Sequence, residues 1–203
     1  MGTEGLRDRK KRQTRTTLVR AAVELATEHG YDNITTDDIA TRAGVSTRTF
    51  FNYFATKEDA VLNPDPGADD RIRAHITTSP PDQHPLETAR TFLHNELTTI
   101  DHDHKLWLAR LSVIREHPDM LNRAFLSGAA TEHTLAEAFA DRLGLPADHT
   151  YPRTTAATIT SAFRVALTQW LRTPGDPTTP ALGDHINEVF TLLTHGLTPP
   201  ARP

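Results

Sequence analysis

Residues 35–54 read TTDDIATRAGVSTRTFFNYF, and this stretch predicts two short helices joined by a tight turn. Thr35, followed three residues later by Asp38, is typical of a capping box at the start of a helix. Gly44 ends this first helix, and Ser46 can cap a second one. The arrangement is that of a helix-turn-helix, in which the second helix enters the major groove of DNA.

The second helix has an apolar and a polar face when its residues are placed at 100° steps. The apolar face holds three aromatic residues that we expect to pack against the first helix, Phe50, Phe51 and Phe54. The polar face presents a guanidinium, a hydroxyl, an amide and a phenol, from Arg48, Thr49, Asn52 and Tyr53. These groups suit base edges and phosphates. Arg48 can bond guanine O6 and N7 together, whereas Asn52 can either read adenine or hold a phosphate.

The charge of the chain is distributed unevenly. Its 203 residues include 22 basic and 26 acidic side chains, which gives a net charge of −4. The first 57 residues carry +3, so the remainder carries −7. A basic start on an acidic body favours nucleic-acid contact by the N-terminal part alone. It disfavours the alternative of a nonspecific DNA-binding protein, which needs basic charge spread widely.

Proline divides the chain near residue 63, because all 14 prolines lie beyond Leu62. We therefore predict an N-terminal domain of residues 1–62 and a C-terminal domain of residues 63–203. Periodicity predicts helices in the second domain near residues 69–78, 86–100, 105–116, 119–142, 152–172 and 181–196. No stretch alternates apolar β-branched residues with polar ones, so the predicted fold class is all-α, without a sheet.

Several function classes are disfavoured by what the sequence lacks. It has no cysteine, which excludes a disulfide scaffold, a thiolate zinc site and a cysteine nucleophile. It shows no phosphate-binding loop, dinucleotide fingerprint, zinc-protease motif or nucleophile elbow, so an enzyme would have to be helical and without a motif. No apolar run is long enough to cross a membrane, and we expect a cytoplasmic protein without a cofactor. The histidines and aspartates of Ile100–His104 are interpreted as a polar loop rather than a metal site.

Four features occur together in residues 9–62: a basic arm, a helix ending in HGY, the pattern TT-x-x-IA-x-x-AGVS-x-x-TF-x-x-YF, and the run TKEDAVL. Together they resemble the TetR family of bacterial transcriptional regulators. The resemblance implies an all-helical homodimer with an N-terminal domain that binds a palindromic operator in double-stranded DNA. It also implies a C-terminal domain in which a small-molecule effector binds and releases the operator. Repression is the usual mode, an activator is the alternative, and the sequence identifies neither the effector nor the operator.

The resemblance also implies roles for single residues in DNA binding. Thr35 and Thr36 begin the helix whose N-terminus meets a phosphate. The positions that read bases are Thr47, Arg48 and Thr49, and those that touch the backbone are Tyr53 and Lys57. The basic arm, residues 7–12 and thus including Arg12, is expected to contact phosphates. Phe51 departs from the family pattern, which usually has a tyrosine there whose hydroxyl reaches a phosphate.

The last two predicted helices carry apolar stripes that we interpret as a dimer interface. The stripes comprise Ile159, Phe163, Ala166 and Trp170 on one helix, and Ile186, Val189, Phe190 and Leu193 on the other. In the family these helices pack with those of the mate as a four-helix bundle, and burial within the monomer is the alternative. An apolar effector pocket is expected to be lined by Phe92, Trp107, Leu111, Phe125 and Phe163, for which ordinary core packing is the alternative.

Overall fold

Ten α-helices and one 3-10 turn are bounded within the part of the chain that the structure describes. This computed structural model describes residues 5–63, 67–99, 104–117, 119–120, 129–172 and 179–197, and no strand occurs among them. The helices are α1 (Leu6–His29), α2 (Thr36–Arg42), α3 (Thr47–Phe51), α4 (Lys57–Leu62), α5 (Ala68–Thr78), α6 (Pro85–Thr99), α7 (His104–Glu116), α8 (Ala129–Leu143), α9 (Thr150–Arg172) and α10 (Thr179–Thr194), with the 3-10 turn at Tyr31–Asn33. The predicted all-α fold class is confirmed. None of the described helices combines the length and the apolar character needed to cross a lipid bilayer.

The predicted helix ends are set by side-chain caps. The Thr35 hydroxyl accepts a hydrogen bond from the Asp38 backbone N–H at 3.2 Å, and the Asp38 carboxylate accepts one from the Thr35 N–H at 2.8 Å. The pKa of Asp38 lies below its usual value, because its carboxylate accepts hydrogen bonds from the Thr35 hydroxyl and from the Thr35 backbone N–H, and both favour the charged form. Thr56 and Asp59 repeat the same box at the start of α4. Gly30 ends α1 with a φ of 82°, a backbone conformation that favours glycine.

One predicted bound needs correction, and one predicted helix is described only in part. The helix α3 ends at Phe51, so Phe54 lies beyond it, although its ring is still buried in the core. The predicted helix over residues 119–142 is described as a helix only at residues 119–120 and over α8, because residues 121–128 lie outside the described residues. The other C-terminal helices start and end within two residues of the predicted positions.

The chain forms two units with separate cores. The first unit comprises Met1–Pro64 and Asp103–Leu121, and the second comprises Asp65–His102 and Asn122–Pro203. The first break falls where proline predicts it. However, α7 packs against α1 and α4, so a segment that we assigned to the C-terminal domain belongs to the N-terminal unit by its contacts. Residue 63 as the border between two functional domains stays a prediction.

The core of the first unit is built on the predicted apolar stripe of α1. Its members Leu18, Ala21, Ala22, Leu25 and Ala26 are all buried. They pack with Ile39 of α2, Phe50 of α3 and Val61 of α4, none of which is exposed. Each fully buried side chain of this size contributes about 1.5–3 kcal/mol of transfer free energy. This core fixes the short helices α2 and α3, which are too short to be stable alone.

Candidate nucleic-acid interface

The helix α3 is held rigidly at its N-terminus and by one buried ring. The Ser46 hydroxyl accepts a hydrogen bond from the Thr49 backbone N–H at 3.1 Å, which caps the helix. In the preceding turn Gly44 has a φ of 68°, and the Val45 N–H donates to the Ala40 carbonyl at 3.0 Å. Phe50 is fully buried under the helix. The orientation of α3 is therefore set by the core, and its outer face is free for a ligand.

The outer face of α3 differs from the predicted one at a single position. Arg48 and Asn52 are exposed, and Thr49 and Tyr53 are half-buried, as expected for residues that line a binding surface. No ion pair of Arg48 occurs within the part of the chain that is described. Phe51, which we expected to bury against the first helix, is instead 54% exposed. It lies three residues after Arg48 and four after Thr47, so it shares their side of the helix.

A basic face of α1 lies beside α3. The helix begins at Leu6, so residues spaced by three and four fall on one side of it. That side contributes Arg7, Lys10, Lys11 and Thr14 to a concave surface of about 970 Å³, to which α3 and the residues after it contribute Thr49, Asn52 and Tyr53. This groove combines three cations with hydroxyl and amide groups, the chemistry that phosphates and base edges require. We call it the reading groove.

Arg12 does not line the reading groove, although it belongs to the predicted basic arm. Arg7, Lys10 and Lys11 share one face of α1. Arg12 is one residue further along the helix than Lys11 and therefore lies on a different side. Its predicted phosphate contact stays a prediction. A signal for the groove residues is present in the sequence. If the first predicted helix begins before residue 7, the helical spacing places Arg7, Lys10, Lys11 and Thr14 on one face.

Lys57 is occupied by the protein itself. Its Nζ donates hydrogen bonds of 2.9 Å to the carbonyl oxygens of both Tyr31 and Ile34, and it lies 4.4 Å from the centre of the Tyr31 ring. Lys57 thus ties the 3-10 turn to the start of α4. These bonds give Lys57 a structural role, and its predicted contact with the DNA backbone stays a prediction.

We expect Lys57→Met to destabilise the protein by about 2–3 kcal/mol, because it removes two charge-assisted hydrogen bonds to backbone carbonyls. Urea denaturation followed by circular dichroism measures this change. Lys105→Met, at an exposed position of α7, is the matched control and should leave the free energy of unfolding unchanged. Unaltered stability of the Lys57 variant would contradict the structural role, and a weaker salt dependence of its DNA binding would support the predicted phosphate contact.

Two threonines of the predicted site are engaged in hydrogen bonds within the protein. Thr47 donates from its hydroxyl to the Asp37 carboxylate at 2.6 Å, which links the starts of α3 and α2. Thr35 donates from its hydroxyl to Asp38 at 2.7 Å as part of the cap. Thr36 is half-buried in the first turn of α2. For all three, contact with DNA stays a prediction.

Arg15 is a positioning residue that the sequence did not single out. Its guanidinium donates to the Asn63 side chain at 3.2 Å and to the Tyr53 carbonyl at 3.4 Å. It also lies 4.3 Å from the centre of the Phe54 ring. Arg15 thereby fixes the segment after α3 against α1, which holds the two walls of the reading groove together.

Comparisons with known proteins agree with this geometry. Residues 18–62 match the family model described as bacterial regulatory proteins of the tetR family, and residues 83–198 match that of the MftR C-terminal domain. The transcriptional regulator TcmR of Streptomyces glaucescens is 31% identical over 82% of this chain and 76% of its own length. The chain belongs to the TetR family. A putative mycofactocin biosynthesis regulator, MftR of Mycobacterium tuberculosis, is 30% identical over 80% of this chain and 82% of its own.

A solved structure shows the same fold as this TetR-family chain. The fatty acid degradation regulator FadR from Bacillus halodurans aligns with a TM-score of 0.50 and 18% identity, over 95% of this chain and 96% of that one. Members of the TetR family are transcriptional regulators rather than enzymes, and this chain is a DNA-binding regulator of that family. The reading groove in its first unit is the candidate surface for that role.

In this TetR-family chain we expect the cations of α1 to set the salt dependence of DNA binding. Replacing Arg7, Lys10 and Lys11 by alanine should lower the slope of log Kd against log [KCl] by about 0.9 for each phosphate that is no longer neutralised. Fluorescence anisotropy at several salt concentrations measures the slope. Arg9→Ala removes one positive charge from a different side of α1 and is the control. Equal slopes for the triple variant and the unaltered protein would exclude these residues from phosphate contact.

A second candidate surface of the TetR-family chain lies on α9 and α10. A groove of about 560 Å³ runs between these helices and is lined by Thr154, Ala157, Thr158, Ser161, Ala162, Val165, Val189, Leu192, Leu193 and Leu197. Its rim is apolar and open, since Val165 is 41% exposed, Leu192 40% and Leu197 65%. A single chain thus leaves a continuous apolar face uncovered by its own described residues. We call it the α9–α10 face.

The α9–α10 face contains only part of the predicted dimer interface. Five predicted residues are buried within the second unit, Ile159, Ala166, Trp170, Ile186 and Phe190, so they have almost no surface to offer to a mate. They are corrected to protomer core, because α9 and α10 turn these stripes towards each other and towards α6 and α8. Val189 and Leu193 line the groove, and Phe163 is half-buried. For these three, a place in the dimer interface stays a prediction.

The residues predicted for an effector pocket are distributed over both units. Phe92 is half-buried on α6, where its ring lies 5.4 Å from that of His75, and Phe163 is half-buried on α9. Trp107 and Leu111 lie on α7 in the first unit, where Leu111 is buried. Phe125 lies outside the described residues, as do residues 100–103 of the histidine-rich loop. The described residues hold no group of three ligating side chains placed for a metal ion.

Proposed function

We propose that this chain represses transcription as a homodimer on a palindromic operator, in the cytoplasm, and that a small-molecule effector releases it. The observation that carries the proposal is the presence of two surfaces on one chain. The reading groove is cationic and polar, whereas the α9–α10 face is apolar and uncovered. The first suits a DNA half-site, and the second suits a second copy of the chain.

The need for two copies follows from the size of the reading helix. The helix α3 has five residues, Thr47–Phe51, and presents one short row of side chains to a groove. Such a row covers a few base pairs, which is too few to select one operator from a genome. Two copies related by a twofold axis read two half-sites about one helical turn apart. A palindromic operator is the DNA that matches this symmetry.

Support for effector control comes from the course of the chain around α7. This helix belongs to the first unit, but the segments before and after it in sequence belong to the second. His117, directly after α7, lies with its ring 5.0 Å from that of Tyr31 and its Nε2 3.6 Å from an Asp32 carboxylate oxygen. Tyr31 in turn bonds Lys57 at the start of α4. A ligand that moves either end of α7 would therefore act directly on the helices that hold α3.

The experiment for this proposal is a footprint combined with transcription in vitro, on the DNA that flanks the gene for this chain. We expect a protected palindrome that overlaps the promoter and fewer transcripts when the protein is added. Protection upstream of the promoter with more transcripts would favour the alternative of an activator. Uniform, sequence-independent protection would contradict specific operator binding and favour a nonspecific DNA-binding protein.

A further inference from the structure

The most unusual side chain of α3 is Phe51. Among the residues of the first unit whose side-chain exposure is described, it is the one large hydrophobic side chain that is neither buried nor half-buried, with 54% of its surface exposed. It is the last residue of α3, and its ring meets the buried Phe50 ring edge to face, at 5.5 Å and 90°. Phe50 thus supports the Phe51 ring from one side and leaves its other side to solvent.

The neighbours of Phe51 place it within a row of DNA-reading side chains. Arg48 lies one helical turn before it and Asn52 directly after it, and both are exposed on the same outer face of α3. A single exposed aromatic residue elsewhere on a surface needs no explanation. On the outer face of a helix that enters the major groove, the ring contacts whatever the groove presents there.

The chemistry of the ring decides which group this can be. A phenylalanine ring neither donates nor accepts a conventional hydrogen bond, so it cannot bond a phosphate or the polar edge of a base. The major groove offers one apolar group, the 5-methyl group of thymine. Resting on our proposal of specific operator binding, we propose that Phe51 is a specificity-determining residue that reads the 5-methyl group of a thymine in each half-site.

The spacing within α3 also restricts where this thymine lies. Three residues advance a helix by about 4.5 Å, and successive base pairs are about 3.4 Å apart. With Arg48 on a guanine, the Phe51 ring reaches a base one or two pairs further along the groove. The inferred operator therefore contains a thymine one or two pairs from the guanine read by Arg48.

Two experiments in sequence test the proposal. First, the unaltered protein and the variant Phe51→Ala each select DNA from a random pool. We expect the consensus selected by the unaltered protein to contain a thymine at the same position of both half-sites. This thymine should be absent from the consensus selected by Phe51→Ala. Then 2′-deoxyuridine, which pairs like thymidine but lacks the methyl group, replaces each thymine of the selected site in turn. Binding is measured by fluorescence anisotropy at one fixed salt concentration.

We expect the uracil substitution at that thymine to weaken binding about fourfold per half-site for the unaltered protein, as for the removal of one buried methyl group. The Phe51→Ala variant should bind thymine and uracil sites equally, and Phe51→Leu, which keeps an apolar side chain, should retain part of the difference. Asn52→Ala is the matched control: it weakens binding of both sites but keeps the full difference between them.

The outcomes separate this proposal from the function on which it rests. Equal uracil effects in the unaltered protein and in Phe51→Ala would show that a group other than the Phe51 ring contacts the methyl group, and would overturn the proposal alone. A consensus without thymine near the Arg48 position would do the same. Failure of the unaltered protein to enrich any sequence would overturn specific operator binding and this proposal with it.

Discussion

Replacing Val165 and Leu192 together by glutamate is expected to convert the protein to a monomer and to weaken operator binding by about 10²- to 10⁴-fold. Both side chains line the α9–α10 face and are substantially exposed in a single chain, so the variant should fold. A carboxylate that becomes buried in an apolar interface gives up its hydration without gaining a partner, which opposes association. In a dimer, binding of one half-site brings the second reading groove close to the other half-site, and a monomer lacks this gain. The gain amounts to about 10²- to 10⁴-fold in affinity.

Sedimentation velocity and fluorescence anisotropy measure the two effects. The matched control is Leu143→Glu, which changes an exposed hydrophobic residue at the end of α8 that does not line the groove. The control should remain dimeric and bind the operator normally. If the double variant sediments as a dimer with the affinity of the unaltered protein, the mates pair through another surface.

Arg48→Ala is expected to reduce specific operator affinity by about 1–3 kcal/mol in each half-site, because it removes one bidentate hydrogen-bonding group for guanine. Over a palindrome with two half-sites this amounts to about 30-fold at the lower end and about 2 × 10⁴-fold at the upper end. The free energy of unfolding should not change, since Arg48 is exposed and forms no ion pair among the described residues. Anisotropy with operator and with random DNA measures the effect, and affinity for random DNA should fall only slightly.

Arg42→Ala is the matched control for Arg48→Ala. Arg42 also belongs to the helix-turn-helix, but its guanidinium is engaged by Glu28 at 2.7 and 3.2 Å. This pair lowers the pKa of Glu28, because the hydrogen bonds from Arg42 favour the carboxylate. Arg42→Ala should leave the operator preference intact. A footprint that stays the same in Arg48→Ala would remove Arg48 from base reading.

The sequence predicted those parts of the fold that depend on local chemistry. The capping residues Thr35, Ser46 and Thr56 define helix starts because their hydroxyls bond backbone groups three residues away. Such an interaction depends only on a few neighbouring positions of the sequence. The same holds for Gly30 at the end of α1. The periodicity of α1 likewise predicted its buried stripe, since each member meets the same core.

The roles of Lys57 and Phe51 could not be predicted, because they depend on the packed fold and not on helical periodicity alone. Whether Lys57 reaches outward depends on the Tyr31 and Ile34 carbonyls, which are 26 and 23 residues away in sequence. Likewise, α3 ends at Phe51, and the buried rings beneath it are those of Phe50 and Phe54. The adjacent Phe51 ring is left outside, a result that helical periodicity alone does not distinguish.

The dimer stripes illustrate a similar ambiguity. An apolar stripe on a helix shows that something covers it, but not whether the cover is the same chain or a mate. Ile159 and Ile186 are covered within the protomer. The less apolar row of Thr158, Val165 and Leu192 lines the groove of the α9–α10 face instead. The strongest apolar stripe therefore belongs to the core, and the available surface is the more mixed face beside it.

The most direct test of the central claim, that two copies of the reading groove act on one palindrome, is a change in the spacing of the half-sites. Anisotropy compares the selected operator with a version in which about five base pairs, half a helical turn, are inserted at its centre. We predict that the insertion abolishes specific binding, since the two α3 helices then face opposite sides of the DNA. Equal affinity for both duplexes would contradict the account, because each half-site would then be read by an independent chain.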